Sequence, residues 1–202
     1  MAKLALSQSA EPAATDGRAR RSQRSRERIV EALFELVQEG ALMPTGEQVA
    51  ERAEVGLRSV FRHFDDMETL YAAMRERVER FAQPLLALTI TDGSLLERIG
   101  ALTRGRASLF ERIAPFERAG RLRRWNSPLL QRSHDEMVAV LRANLKRVLP
   151  EMASLEPPLR QALELATSFE AWDRLRTEQQ LSSERAQRAL QSTVEAILHE
   201  RD

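Results

Sequence analysis

Between Thr45 and Phe64 the chain has room for two helices of only two to three turns, separated by a tight turn, and neither is long enough to be stable alone. Thr45-Gly46-Glu47-Gln48 is a T-x-x-Q capping arrangement, in which the hydroxyl accepts from the third amide and Gln48 reaches back. Val49, Ala50 and Ala53 give the first short helix a buried face. After Glu54-Val55-Gly56 a second begins near Leu57 and runs to about His63, carrying Val60 and Phe64 inward. Such a pair needs a neighbour to pack on. Upstream, Ile29, Val30, Leu33, Phe34 and Val37 recur at spacings of three and four from about Ser22 until Gly40. Two short helices, a tight turn and a longer backing helix are the layout of a helix-turn-helix unit, with Ala50 small enough for close crossing and Val55 burying the turn.

In that layout the outward positions of the second short helix, Leu57, Arg58, Ser59, Phe61, Arg62 and His63, face a DNA major groove about 12 Å wide. Arg58 suits bidentate contact with guanine, Ser59 a base or phosphate, and Leu57 a thymine methyl. Thr45 is counted with them. Six arginines, Arg18, Arg20, Arg21, Arg24, Arg26 and Arg28, precede the apolar stripe, and of these Arg20, Arg21 and Arg24 are expected on DNA. Residues 1–81 carry 13 basic and 14 acidic groups, so affinity must come from a localised positive face.

The remainder reads as helix throughout. Ala, Leu, Arg and Glu make up 107 of 202 residues, whereas Val, Ile and Thr make up 24. The expected fold is all-α, with residues 1–21 a disordered basic arm, 22–81 the helix-turn-helix unit and 82–202 a second helical domain. Asp65-Asp66-Met67-Glu68 opens a fourth helix with Leu70, Tyr71, Met74, Val78 and Phe81 inward. Pro84 and Asp92-Gly93-Ser94 separate the two parts. Ser94-Leu95-Leu96-Glu97 caps the next helix, and Ser127-Pro128 starts one that Pro150 stops. Pro158 to Arg176 reads as one helix and Ser183 to His199 as the last.

Several classes drop out. There is no Cys and only three His, so a thiolate metal site is excluded and no cofactor is expected. The longest apolar run, Leu85 to Ile90, is far short of the roughly 20 residues of a membrane span, and with the polar N-terminus this implies a cytoplasmic protein with no membrane partner. Glu195 and His199 form a lone carboxylate-histidine pair on the final helix, too little for an enzyme site.

From Ile29 to Met74, and especially in TGEQVAERAEVGLRSVFRHFDDMETLYAAM, the sequence resembles the DNA-binding domain of tetracycline-repressor-like (TetR-type) transcription regulators. Phe61-Arg62-His63-Phe64 is similar to the aromatic-x-His-Phe end of that family's recognition helix, and Asp65 to Leu70 to the start of its next helix. There are departures: Glu54 stands where the family has a turn glycine, Gly56 where a Ser or Thr cap is usual, Phe61 for Tyr and Met67 for Lys. The last two lose phosphate contacts that the basic arm can restore. The resemblance implies a homodimer on a palindromic operator in double-stranded DNA, an interface of four helices from the last two of each subunit, and an enclosed inducer pocket.

For the interface, the inward residues Leu163, Phe169, Trp172, Leu190, Val194 and Ile197 are the candidates. Arg98 to Arg124 holds eight arginines among aromatic residues, a mixture suited to an anionic, partly apolar small molecule. The candidate pocket residues are Phe110, Phe116, Arg121, Trp125, His134, Met137 and Leu141. The expected function is a repressor released from its operator by this inducer. The alternatives are a ligand-independent regulator or activator and, remotely, a helical-bundle enzyme.

Overall fold

The computed structural model describes residues 13–87 and 92–199, and every regular element among them is helical. The N-terminal part comprises α1 (Ala13–Gln38), α2 (Gly46–Arg52), α3 (Leu57–His63) and α4 (Met67–Ala87). The helical body comprises α5 (Leu95–Arg124), α6 (Pro128–Val148), α7 (Pro157–Ala166), α8 (Phe169–Thr177) and α9 (Ser183–His199), with a 3-10 turn at Pro150–Ser154. The polar helix starts behave as their sequences require. Thr45 Oγ1 accepts from the Gln48 amide at 3.3 Å while Gln48 Oε1 accepts from the Thr45 amide at 2.9 Å, and Ser94 with Glu97 repeats the arrangement. Asp66 accepts from the Thr69 amide at 2.8 Å, and Ser127 from Leu130 at 3.0 Å ahead of Pro128.

Three boundaries differ from expectation. α1 begins at Ala13, so residues 13–21 are helical and not a disordered arm; apart from Gly17 they contain neither Gly nor Pro to oppose the helix-forming Ala and Arg. The rest of the expected arm, residues 1–12, lies outside the described residues. α4 continues through Pro84 to Ala87, since a proline this near the helix end disturbs little of the ladder behind it. The single helix expected from Pro158 to Arg176 is broken: Thr167 Oγ1 donates to the Leu163 carbonyl at 2.9 Å, and Ser168 caps α8 by accepting from the Ala171 amide at 3.2 Å.

One apolar core runs from Ile29 in α1 to Leu198 in α9. Phe34 of α1 stacks on Phe116 of α5 with centroids 4.5 Å apart, which fastens the N-terminal part to the body. Inside the body, Phe110 meets Phe169 edge-on at 5.7 Å and Trp172 at 6.3 Å. The Trp172 indole donates to Glu111 at 3.0 Å, so this buried aromatic loses nothing at its polar end. Phe81, expected inward, is exposed, and the Arg112 guanidinium lies 5.8 Å from its ring.

Candidate nucleic-acid interface and ligand cavity

The α2–α3 unit is assembled by three local devices. Glu54 takes φ 52°, the left-handed geometry that a glycine would adopt freely, which puts about 1 kcal/mol or more of strain in the turn. Arg28 of α1 holds that turn by donating to the Ala53 carbonyl at 2.5 Å and to the Glu54 carboxylate at 3.1 Å. The third device is Gly46. A Cβ there would sit 3.0 Å from Phe61 Cζ and 3.2 Å from Leu57 Cδ1, so a hydrogen at this position is what lets α3 lie close across the start of α2.

On α3 the side chains divide. Val60 is buried, Arg58 and Arg62 are exposed, and Ser59 is half-buried. Neither Arg58 nor Arg62 has an ion pair or hydrogen bond among the described residues, whereas Arg28, Arg52 and Arg77 nearby are all matched to carboxylates. Leu57 and Phe61 are 37% and 44% exposed, their remaining surface resting on Gly46. His63 departs from the outward role: its Nε2 is buried without a partner, and burial, then the charges of Arg62 and Arg26, keep its pKa below the ordinary histidine value. As the last residue of α3, it turns toward α1. Thr45 is exposed but its hydroxyl is spent on the cap. Arg20, Arg21 and Arg24 are exposed on the first turns of α1. Arg21 and Arg24 fall at helical spacing from Arg28, the residue that grips the α2–α3 turn.

In the body, α5, α6, α7 and α8 line a half-open cavity of about 300 Å³. Ile113, Met137, Leu141, Leu145 and Phe169 form apolar walls, and Arg106, Glu117 and His134 bring charge and polarity. Arg106 is 2% exposed. One of its terminal nitrogens donates to the Leu141 carbonyl at 2.7 Å; its Nε and other terminal nitrogen have no partner. Burial alone pulls its pKa down to about 10, so it remains a cation at neutral pH. Glu117 is equally buried. Burial works to raise its pKa, but His134 and Arg75 outweigh that and hold it at about 2. Arg75 of α4 donates to Glu117 at 2.6 Å; His134 Nδ1 is 3.7 Å from the other oxygen, an electrostatic contact longer than a hydrogen bond. A larger groove between α1 and α4 is wide open and mostly charged, with Arg24, Glu27 and Arg80 on its walls, and lacks the enclosure a small ligand needs.

Of the residues expected around a ligand, His134, Met137 and Leu141 line the cavity. The others do not. Phe110 and Phe116 are core residues, Arg121 lies 3.5 Å from Asp173, and Trp125, at the end of α5, is 85% exposed. Arg106 and Glu117 were missed, although the sequence marks them: Ile99, Leu102, Arg106, Leu109 and Ile113 recur at three and four, so Arg106 occupies a slot in an apolar stripe. The expected interface residues also need correction. Leu163, Phe169, Trp172, Leu190 and Val194 are buried within the protomer, filling its own core, and Ile197 is half-buried against it. Amphipathic helices in a multi-helix body first cover one another, and that consumed these side chains.

No family model matches the chain, and no curated protein sequence does. Solved structures do match. A transcriptional regulator from Rhodococcus sp. Rha1 superposes with a TM-score of 0.70 at 22% identity, over 87% of this chain and 97% of that one. A member of the TetR family from Streptomyces coelicolor A3 gives 0.60 at 20% identity, over 84% and 97%. The multidrug binding protein EbrR, solved with imidazole, gives 0.61 at 19% identity, over 83% and 93%. From α1 to α9, the chain therefore has the fold of TetR-family transcriptional regulators.

Proposed function

We propose that the chain is a ligand-responsive DNA-binding transcriptional regulator, with residues 22–81 as the reading head and 82–202 as the body that binds ligand and dimerises. Support comes above all from Arg58 and Arg62, two exposed cations left without carboxylate partners on the face of α3 that a major groove would meet. The arginines at the start of α1 add phosphate contacts beside it. A homodimer sets two copies of α3 about 34 to 36 Å apart on a palindromic operator. The exposed neighbours of the buried residues on α7 to α9 supply its interface. In the cytoplasm such a dimer acts as a repressor until a small molecule enters the cavity.

The route from cavity to DNA runs through Glu117, which lines the cavity and holds Arg75 on α4, the helix that follows α3 directly. A ligand that shifts Glu117 alters the seating of α4 and so of the reading head. By linkage, operator DNA weakens that ligand by the same factor. Selection of bound sequences from a random duplex pool by the purified protein tests the reading: an enriched palindrome is the expected result, and recovery of unenriched duplex would overturn it.

A further inference from the structure

We infer that the cavity is built for a compact organic anion, a monocarboxylate with an apolar body of about ten non-hydrogen atoms, with Arg106 as the group that takes its charge. The inference rests on reading this cavity as the ligand site, and it adds the chemical class. Arg106 occupies a position on α5 where Leu or Met would complete the apolar stripe and fill the core. The chain instead buries a guanidinium there, and a buried charge without a counter-charge is costly. The other charges at the cavity are accounted for. Glu117 is held by Arg75, and Glu164 by Arg142 at 2.8 Å across the mouth. Glu170 has no ion pair but is exposed to water on α8, where its field is screened. Arg106 is thus the dry charge without a carboxylate: one nitrogen donates to Leu141, the Phe110 ring centroid lies 5.8 Å from its guanidinium, and its other two nitrogens lack an acceptor.

What Arg106 lacks is acceptors for two of its nitrogens and a counter-charge of its own. A carboxylate supplies both, and its ion pair with a desolvated guanidinium is stronger than one in water. The apolar walls, Ile113, Met137, Leu141, Leu145 and Phe169, suit an apolar body, and Glu164 and Glu170 on the lining disfavour a second negative charge on the same molecule. Size gives a guide: a cavity of about 300 Å³, at the roughly 30 Å³ that one water molecule takes in the liquid, holds about ten non-hydrogen atoms. Octanoate and 3-phenylpropionate are of this size and charge.

The test is calorimetric titration of the full chain, without DNA, at neutral pH with octanoate, 3-phenylpropionate, octanol and octylamine. At least one carboxylate is expected to bind once per chain, about tenfold or more tighter than octanol or octylamine. Arg106→Met is expected to remove that preference and bring carboxylate affinity down to that of octanol. Without ligand the variant should melt no lower than the parent, since an unmatched charge has gone. Equal binding of octanoate and octanol, preference for octylamine, or no binding by either carboxylate overturns the inference, and the ligand series on the parent chain decides this even where Arg106→Met does not fold. The regulator reading fails separately. Carboxylate binding without duplex selection counts against DNA reading and leaves the anion site standing, and a selected duplex without carboxylate binding does the reverse.

Discussion

The outer face of α3 and the junctions between helices use the same residue, arginine, in opposite ways. At the junctions, Arg75 of α4 is matched to Glu117, and Arg98, Arg118 and Arg176 of the body to Glu151, Asp173 and Glu111, and each pair ties two elements together. On α3, Arg58 and Arg62 face solvent unmatched. The difference teaches where to look for function in a chain with 31 basic and 30 acidic residues. Net charge says nothing here; what counts is where an arginine that the fold does not neutralise sits. Arg106 obeys the same rule from inside the body.

The comparison breaks most visibly at its buried pair. Glu117→Gln leaves Arg75 facing a neutral amide and is expected to lower stability by about 3 to 5 kcal/mol, read by chemical denaturation. A smaller loss, within 1 kcal/mol, would mean that the pair is not structural. Acid tests the same group without mutation. Because its folded pKa is depressed to about 2, the stability it contributes is complete above the unfolded value of 4.5 and is lost as pH falls from 4.5 toward 2. Thermal melts of the parent and Glu117→Gln across that range should converge at the acid end.

On the head, Arg58→Ala is expected to cost about 1 to 3 kcal/mol in binding to a selected duplex and to relax one base position, with the melting temperature unchanged. Arg62→Ala should weaken all duplexes alike and flatten the salt dependence, as loss of a phosphate contact does. Glu54→Gly should raise stability by about 1 kcal/mol by relieving the left-handed strain, and denaturation curves will show it. The smallest effect belongs to His63. Its folded pKa lies below the unfolded 6.5, so the fold resists protonation and stability declines as pH drops through 6.5; His63→Gln should flatten melts between pH 7.5 and 5.5.

The head was largely legible because its signals are local. Thr45-x-x-Gln48, the Val49, Ala50 and Val60 spacing and the strained Glu54 all stand within a few residues of the contacts they make. Gly46 escaped notice, since its partners Leu57 and Phe61 lie across the turn and a glycine in the first turn of a helix carries no pattern. The body was legible as helices and not as surfaces. Amphipathic spacing places Leu163, Trp172, Leu190 and Val194 on inner faces, but the same spacing serves a core and a subunit interface equally, and the protomer core has them. The cavity residues come from four helices, with Arg106 and Phe169 distant in sequence, so the sequence reached only the α6 wall, His134, Met137 and Leu141, and passed over the single charge in the α5 stripe.

The central claim is that unmatched arginine on α3, and not basic charge in general, reads DNA. The direct measurement is the affinity for a selected duplex of Arg58→Ala set against Arg132→Ala, which removes the same charge from the exposed face of α6. The account predicts a loss of about tenfold or more for Arg58→Ala and an unchanged affinity for Arg132→Ala. Equal losses, or none from Arg58→Ala, would contradict it.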